Sequence, residues 1–124
     1  MINKIVISLL FIFLALPIYA GSFEDAKSSK PYVFLYLYTP ECGYCQRFTP
    51  KYFKFSKMYD KSFAFVMEDA NQYYGNKLIR KYKGKYVPYV VLYNSKTKKA
   101  ASVPSYCIMK DECVDKAIKQ FKNL

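Results

Sequence analysis

Residues 32 to 38 read Tyr-Val-Phe-Leu-Tyr-Leu-Tyr, and two cysteines follow at once in Thr39-Pro40-Glu41-Cys42-Gly43-Tyr44-Cys45-Gln46. The first segment is a continuous apolar, aromatic and β-branched run. With no polar alternation, it suits a central strand covered on both faces. The residues from Gly43 onward read as a helix, so the Cys-x-x-Cys falls at a strand-to-helix junction. There the first sulfur meets unpaired backbone N–H groups and the positive end of the helix dipole, which stabilise a thiolate. The second sulfur sits one turn on, within reach of a mixed disulfide. This is a dithiol switch, and it points to thiol–disulfide exchange.

The remaining chain alternates in the same way. Ser22 to Lys30 predicts a short helix, with Ser22 as N-cap and Glu24 and Asp25 in the first turn. From Gly43 to about Asp60, Phe48, Tyr52, Phe55 and Tyr59 recur on one helical face, with Pro50 expected to kink the helix. Ser62 to Met67 predicts a second strand, and Glu68 to Gln72 a polar turn. Lys77 to Tyr82 predicts a short helix, with Leu78, Ile79 and Tyr82 turned inward and Gly84 as C-terminal cap. Val87 to Tyr93 reads as a third strand and Lys98 to Val103 as a fourth, whose flanking lysines and Pro104 suit an edge. A last helix is expected from Asp111, as N-cap, to Lys122, with Val114, Ala117, Ile118 and Phe121 inward. Helix–strand alternation followed by a hairpin implies a mixed sheet with helices on both faces.

The N-terminus stands apart from this pattern. Lys4 precedes a run from Ile5 to Leu16 that is apolar except at Ser8, and Pro17-Ile18-Tyr19-Ala20-Gly21 supplies a break and a small residue. This reads as a secretory signal peptide, residues 1–20, cleaved after Ala20. The alternative is an uncleaved membrane anchor, but the run is shorter than the roughly 20 residues of a spanning helix. Residues 21–124 then form one small domain in the periplasm or outside the cell. Four cysteines, all beyond the cut, suit such an oxidising space.

Composition removes other chemistries. The chain has no histidine, so Ser-His and Cys-His catalysis and the commonest metal ligand are absent. Lys and Arg number 20 against 9 Asp and Glu, a net charge of +11. These charges are spread along the length, which reads as a solvated surface; an anionic membrane or an acidic partner is the alternative use. With 14 tyrosines and 10 phenylalanines among the lysines, nucleic-acid binding is a distinct class to weigh. Stacking needs exposed aromatics along a basic groove, whereas most of these fall on predicted core faces. Tyr44, Tyr73, Tyr74, Tyr86 and Tyr106 are the exceptions, placed in loops or turns.

Taken in order, these residues resemble the thioredoxin superfamily over nearly the whole of residues 21–124. Cys42-x-x-Cys45 follows an apolar strand, Pro50 stands where the family kinks its active-site helix, and Val87-Pro88 stands where the family carries a cis-proline. A hairpin and a closing helix complete the match. The resemblance implies an α/β thioredoxin fold with a mixed central sheet of about four strands flanked by helices on both faces. It also implies a catalytic pair, with Cys42 as nucleophile and Cys45 as resolving thiol, and a substrate segment laid along Val87 and Pro88. The dipeptide Gly43-Tyr44 resembles that of bacterial periplasmic disulfide isomerases, whereas Val87 is more similar to the periplasmic oxidases. The chain departs from the family at Glu41, where a tryptophan is usual, and at Tyr36, where a buried acid is usual. Glu41 is expected to be exposed and to repel the thiolate, which disfavours ionisation of Cys42. Gly43, Glu41 and Tyr36 are therefore candidates for tuning the motif. The family's first strand is lacking unless Gly21 to Phe23 supplies it.

Cys107 and Cys113 form a second candidate pair, read as a structural disulfide tying a loop to the last helix, with a redox relay or regulatory switch as the alternative. A Cys₄ zinc site is disfavoured because Cys-x₅-Cys is too wide for the usual knuckle. Pro88 could also be an ordinary trans proline opening a strand, and Cys42–Cys45 a static disulfide in a scaffold that binds through its basic surface. The leading expectation is an exported, monomeric thiol–disulfide oxidoreductase needing no cofactor and no metal. Its partners are exported proteins bearing disulfides or thiols, and an electron donor or acceptor such as a membrane redox protein. No nucleic-acid partner is expected, and reductase or isomerase use is favoured over oxidase use.

Overall fold

The structure, a computed structural model, describes residues 22–124. The expected signal peptide, residues 1–20, lies outside the described residues. Eight elements follow in order: α1 (Phe23–Ser29), β1 (Tyr32–Tyr38), α2 (Gly43–Met58), β2 (Phe63–Asp69), α3 (Tyr73–Lys81), β3 (Tyr89–Asn94), β4 (Ala100–Ser102) and α4 (Asp111–Lys122).

The sheet order is β2-β1-β3-β4. β1 pairs parallel with β2 (Phe34 beside Phe65) and antiparallel with β3 (Phe34 beside Leu92), and β3 pairs antiparallel with β4. Because side chains alternate across a strand, β1 serves two cores at once. Phe34 and Tyr36 face α2 and α4, packing with Phe48, Tyr52, Phe55, Val114 and Ile118. Val33, Leu35 and Leu37 face α1 and α3, packing with Phe23, Ala26 and Leu78. Residues 33 to 37 are fully buried, as an unalternated apolar run requires. This is the expected α/β arrangement, a mixed four-strand sheet with two helices on each face.

Local chemistry explains where the elements begin and end. The Ser22 side chain accepts from the Asp25 N–H at 3.2 Å and caps α1 as expected. Ser22 and Phe23 thus open a helix and supply no extra strand; Gly21 lies outside the described residues. β2 extends through Glu68 and Asp69, which were expected in a turn, because both stay in register with Leu37 and Tyr38. α3 starts at Tyr73, four residues before the expected Lys77, so Tyr73 and Tyr74 belong to a helix. β3 starts at Tyr89, after a cis Val87–Pro88 peptide, and not at Val87. Pro88 carries no N–H to give a strand neighbour. β4 is only three residues long and wholly exposed, shorter than the expected Lys98 to Val103.

Two helix ends differ from expectation for physical reasons. Lys83, with φ 59°, takes the left-handed residue at the end of α3, a place expected for Gly84. Gly84 is needed instead for space: a Cβ there would sit 2.5 Å from Ile79 Cγ1 and 2.9 Å from Tyr89 Cδ2. The N-cap of α4 is Lys110 and not Asp111, whose carboxylate is drawn to Lys51 Nζ at 2.7 Å and Lys54 Nζ at 2.8 Å on α2.

Candidate active site

β1 runs through the interior of the sheet to one end of it, and a turn returns the chain into α2, with the Cys42 N–H donating to the Thr39 carbonyl at 3.3 Å. Cys42 is the N-cap of α2, in extended conformation, and its Sγ accepts from the Cys45 N–H at 3.0 Å. A serine or aspartate oxygen does this at other helices; here a sulfur does, so the helix start and one sulfur of the disulfide coincide. Cys42 and Cys45 are joined as a disulfide, with Cα atoms 5.2 Å apart. Cys42 is half-exposed and Cys45 buried. The Cys42 sulfur also lies 3.6 Å from the Val87 carbonyl, which becomes an S–H acceptor once the disulfide is opened. Gly43 has nothing within 4 Å of where a Cβ would stand, so it faces open space beside the disulfide.

Tyr36 fills the core beneath this pair. Its ring is fully buried and meets Phe48 edge-on at 4.9 Å. Its hydroxyl donates to the Cys45 carbonyl at 2.9 Å, and the Thr49 hydroxyl donates to the same carbonyl at 2.8 Å. The two hydroxyls are 3.1 Å apart. Burial pushes the Tyr36 phenol above its ordinary value, against the opposing bond to Thr49. Tyr36 is therefore a neutral donor across the working pH range, in the place where an acid was the family expectation. Thr49 is a member of the site that sequence reasoning missed. Its signal was its spacing, four residues after Cys45, where a threonine bonds back to the i−4 carbonyl.

Glu41 is exposed as expected, but its carboxylate is engaged. Asn71 Nδ2 donates to it at 2.8 Å, and that bond holds Glu41 below the usual carboxylate range. It is an ionised group turned toward the end of β2. Next to Cys42, Tyr44 is 61% exposed, with the Arg47 guanidinium 4.6 Å over its ring.

The other wall of the site comes from Val87 and Pro88. Pro88 is buried and Val87 half-buried. With Tyr44, Tyr86, Ser105, Ile108 and Met109 they line a cavity of about 210 Å³. The structure thus brings Cys42, Cys45, Tyr44, Val87, Pro88 and Tyr36 together. Cys107 and Cys113 form a separate disulfide, Cα atoms 5.2 Å apart, whose loop reaches the same cavity. No sequence signal marked Ser105, Ile108 and Met109 as neighbours of residues 44 and 86–88, because only the tertiary fold brings them there.

A family model described as a thioredoxin-like domain matches residues 19–122. The chain belongs to the thioredoxin-like family. This thioredoxin-like domain is 28% identical over 83 residues to a protein disulfide-isomerase of Triticum aestivum, a match covering 64% of this chain and 16% of the relative. It is 30% identical over 71 residues to a protein disulfide-isomerase of Hordeum vulgare, covering 55% and 14%. The chain thus spans about one sixth or less of those relatives. Among solved structures, the oxidised thioredoxin of Plasmodium falciparum superposes with a TM-score of 0.60 at 22% identity, covering 80% of this chain and 88% of that one. At that identity the likeness speaks for the fold.

Proposed function

We propose that this thioredoxin-like domain is an exported thiol–disulfide oxidoreductase whose working groups are Cys42 and Cys45. The observation that carries this reading is the Cys42 sulfur at the N-cap of α2, half-exposed and 3.0 Å from the Cys45 N–H, with Cys45 buried behind it. In the reducing direction the Cys42 thiolate attacks one sulfur of a substrate disulfide. An S–S bond forms to Cys42, the substrate S–S bond breaks, and the leaving thiolate takes a proton. Cys45 then gives up its proton and attacks the Cys42 sulfur, releasing the second substrate thiol. The substrate gains two electrons and the Cys42–Cys45 pair loses them, so turnover needs a dithiol donor. Run backwards, the same steps oxidise a dithiol substrate.

The helix N-terminus supports the thiolate, while Glu41 and the Tyr36–Cys45 carbonyl bond tune it. Val87, Pro88 and Tyr44 offer the surface for an extended substrate segment. Reductase or isomerase use is favoured by the Gly43-Tyr44 dipeptide and by the protein disulfide-isomerase relatives. Export rests on residues 1–20, and the partners are then disulfide-bearing exported proteins and a membrane or soluble redox donor.

The test is equilibration in graded glutathione buffers, trapping by alkylation and mass readout of each cysteine. Cys42 and Cys45 are expected to open together as one two-electron couple while Cys107 and Cys113 stay joined. A midpoint near about −270 mV marks a reductase and one near about −120 mV an oxidase. Should neither pair open short of denaturation, exchange is excluded, and a binding scaffold using its basic surface replaces it.

A further inference from the structure

The chain treats its two sheet edges differently. β4 is three residues long and has Lys98 and Lys99 just before it, features that blunt an edge. β2, at the other edge, runs seven residues, Phe63–Asp69, with no lysine, arginine, proline or glycine among them. Among the described residues no strand covers its outer side, since Ser22 and Phe23 open a helix.

The free groups of β2 follow from its pairing with β1. The Tyr32 N–H donates to the Ser62 carbonyl at 3.1 Å at one end, and the Ala70 N–H to the Tyr38 carbonyl at 2.7 Å at the other. Peptide groups alternate in direction along a strand. Ala64, Val66 and Glu68 therefore turn theirs to β1, and Phe63, Phe65, Met67 and Asp69 turn theirs outward. Two outward groups are already engaged: the Phe63 N–H donates to the Tyr59 carbonyl at 2.9 Å, and the Asp69 carbonyl accepts from the Gln72 N–H at 3.0 Å. A second β2, antiparallel and with Val66 facing Val66, matches the remainder. Phe65 and Met67 exchange both N–H···O=C bonds, and the Asp69 N–H meets the Phe63 carbonyl. The two engaged groups fall opposite each other, so no open group is left without a partner.

Side chains and charge fit the same arrangement. Phe65 and Met67 are half-buried and packed on the α2 face. Gln46 and Thr49 share a cavity with Met67, so the flank of α2 that bears Gln46, Thr49 and Phe53 overlies this edge. Phe53 is 51% exposed there, and the pairing brings the two Phe53 rings to one seam. Before β2 stand Lys57 and Lys61 with one acid, Asp60, whose carbonyl takes Lys30. At the far end stand Glu68 and Asp69, and Glu41 bonds Asn71 beyond them at 2.8 Å. Antiparallel pairing sets each basic end against the partner's acidic end.

We infer that β2 is an interface between two copies of this chain, paired antiparallel about a two-fold axis at Val66. The dimer, where the sequence alone suggested a monomer, joins two four-strand sheets into one. Because β1 runs parallel to β2, the two Cys42–Cys45 disulfides lie at opposite ends of that sheet.

Light scattering and amide hydrogen exchange test this on the chain purified from the cells that make it, its N-terminus read by mass. At about 100 µM the particle is expected to have the mass of two copies. Phe53→Lys, a surface change that sets two cations face to face, should return it to one copy at that concentration with unchanged circular dichroism. The amides of Phe65, Met67 and Asp69 should then exchange at least about tenfold faster than in wild type, while those of Ala64, Val66 and Glu68 keep their rates. Met67→Pro removes one outward N–H and leaves the ladder to β1 complete; it too should give single copies, and where it does not fold, Phe53→Lys decides. A wild-type mass of one copy overturns the inference. If that single copy still protects Phe65 and Met67, the edge is covered by the chain's own residues before Ser22. A two-copy mass that survives the folded variants, or Phe65 and Asp69 amides equally fast in wild type and variant, overturns it as well, since the contact then lies elsewhere.

Discussion

At the scale of single residues, the site turns on which groups are charged. Tyr36 is buried and neutral, so it acts on Cys45 through a hydrogen bond and not through a titration. Tyr36→Phe removes one buried bond but leaves the Cys45 carbonyl its Thr49 donor. Its expected cost in denaturant unfolding is about 1 kcal/mol. The pH profile of exchange should keep its shape between neutrality and mild alkalinity; a displaced limb would mean that the phenol exchanges protons with the dithiol. Glu41 is the ionised neighbour, so Glu41→Gln removes a negative charge near a forming thiolate. The thiolate absorbance of the reduced chain should then rise at lower pH than in wild type; an unmoved curve would show that the Asn71 bond keeps the carboxylate out of range. The cysteines, Tyr36 and Pro88 could all be placed from the sequence. The Asn71 and Thr49 partners were less visible, since one depends on the fold and the other on a spacing shared by many surface threonines.

At the scale of elements, the reading succeeded where burial dictates pattern and failed where a distant partner decides. β1 and the inner faces of α2 and α4 were legible because a buried strand admits no polar position and a half-buried helix repeats its apolar residues every three or four. The start of α3 was not, because Tyr73, Tyr74 and Gly75 give no helical stripe. Gly75 is there for contact: a Cβ on it would land on the Asp69 carbonyl at the end of β2. Gly75→Ala should therefore cost about 3 kcal/mol, seen as a large fall in melting temperature. Lys83 shows the opposite case, a side chain held at positive φ. Lys83→Gly should raise stability by up to about 1 kcal/mol in denaturant titration, an outcome reversed only if the lysine makes a compensating contact in solution. Asp111 misled as an N-cap because its partners, Lys51 and Lys54, lie on another helix.

At the scale of the whole molecule, charge and aromatic packing set the pH limits. Asp111 and Asp115 are held below the usual range, the first by bonds to Lys51 and Lys54, the second by bonds from Tyr59 and Lys119. A depressed folded value means that their contribution is complete above about pH 4. It is lost as pH falls further, weakly because both carboxylates reach solvent. On the alkaline side, burial pushes Tyr59, Tyr74 and Tyr82 up to about 12, and raises Tyr36 and Tyr52 as well. For Tyr59, Tyr74 and Tyr82 the contribution is complete below about pH 10 and disappears between there and about pH 12. Circular dichroism followed with tyrosinate absorbance should show the fold and the phenols titrating in one step; phenols ionising ahead of any loss of structure would contradict the packing. Both covalent cross-links, meanwhile, are local, at sequence separations of 3 and 6. The pairing that makes the sheet joins Tyr32 to Asn94 with no covalent bond tying those distant stretches together. Topology and oxidation state are therefore separate variables: the slow search for long-range strand partners is carried by apolar burial in either redox form. In the exchange proposed above, the Cys42–Cys45 disulfide can therefore open and close without taking the chain near the unfolded state.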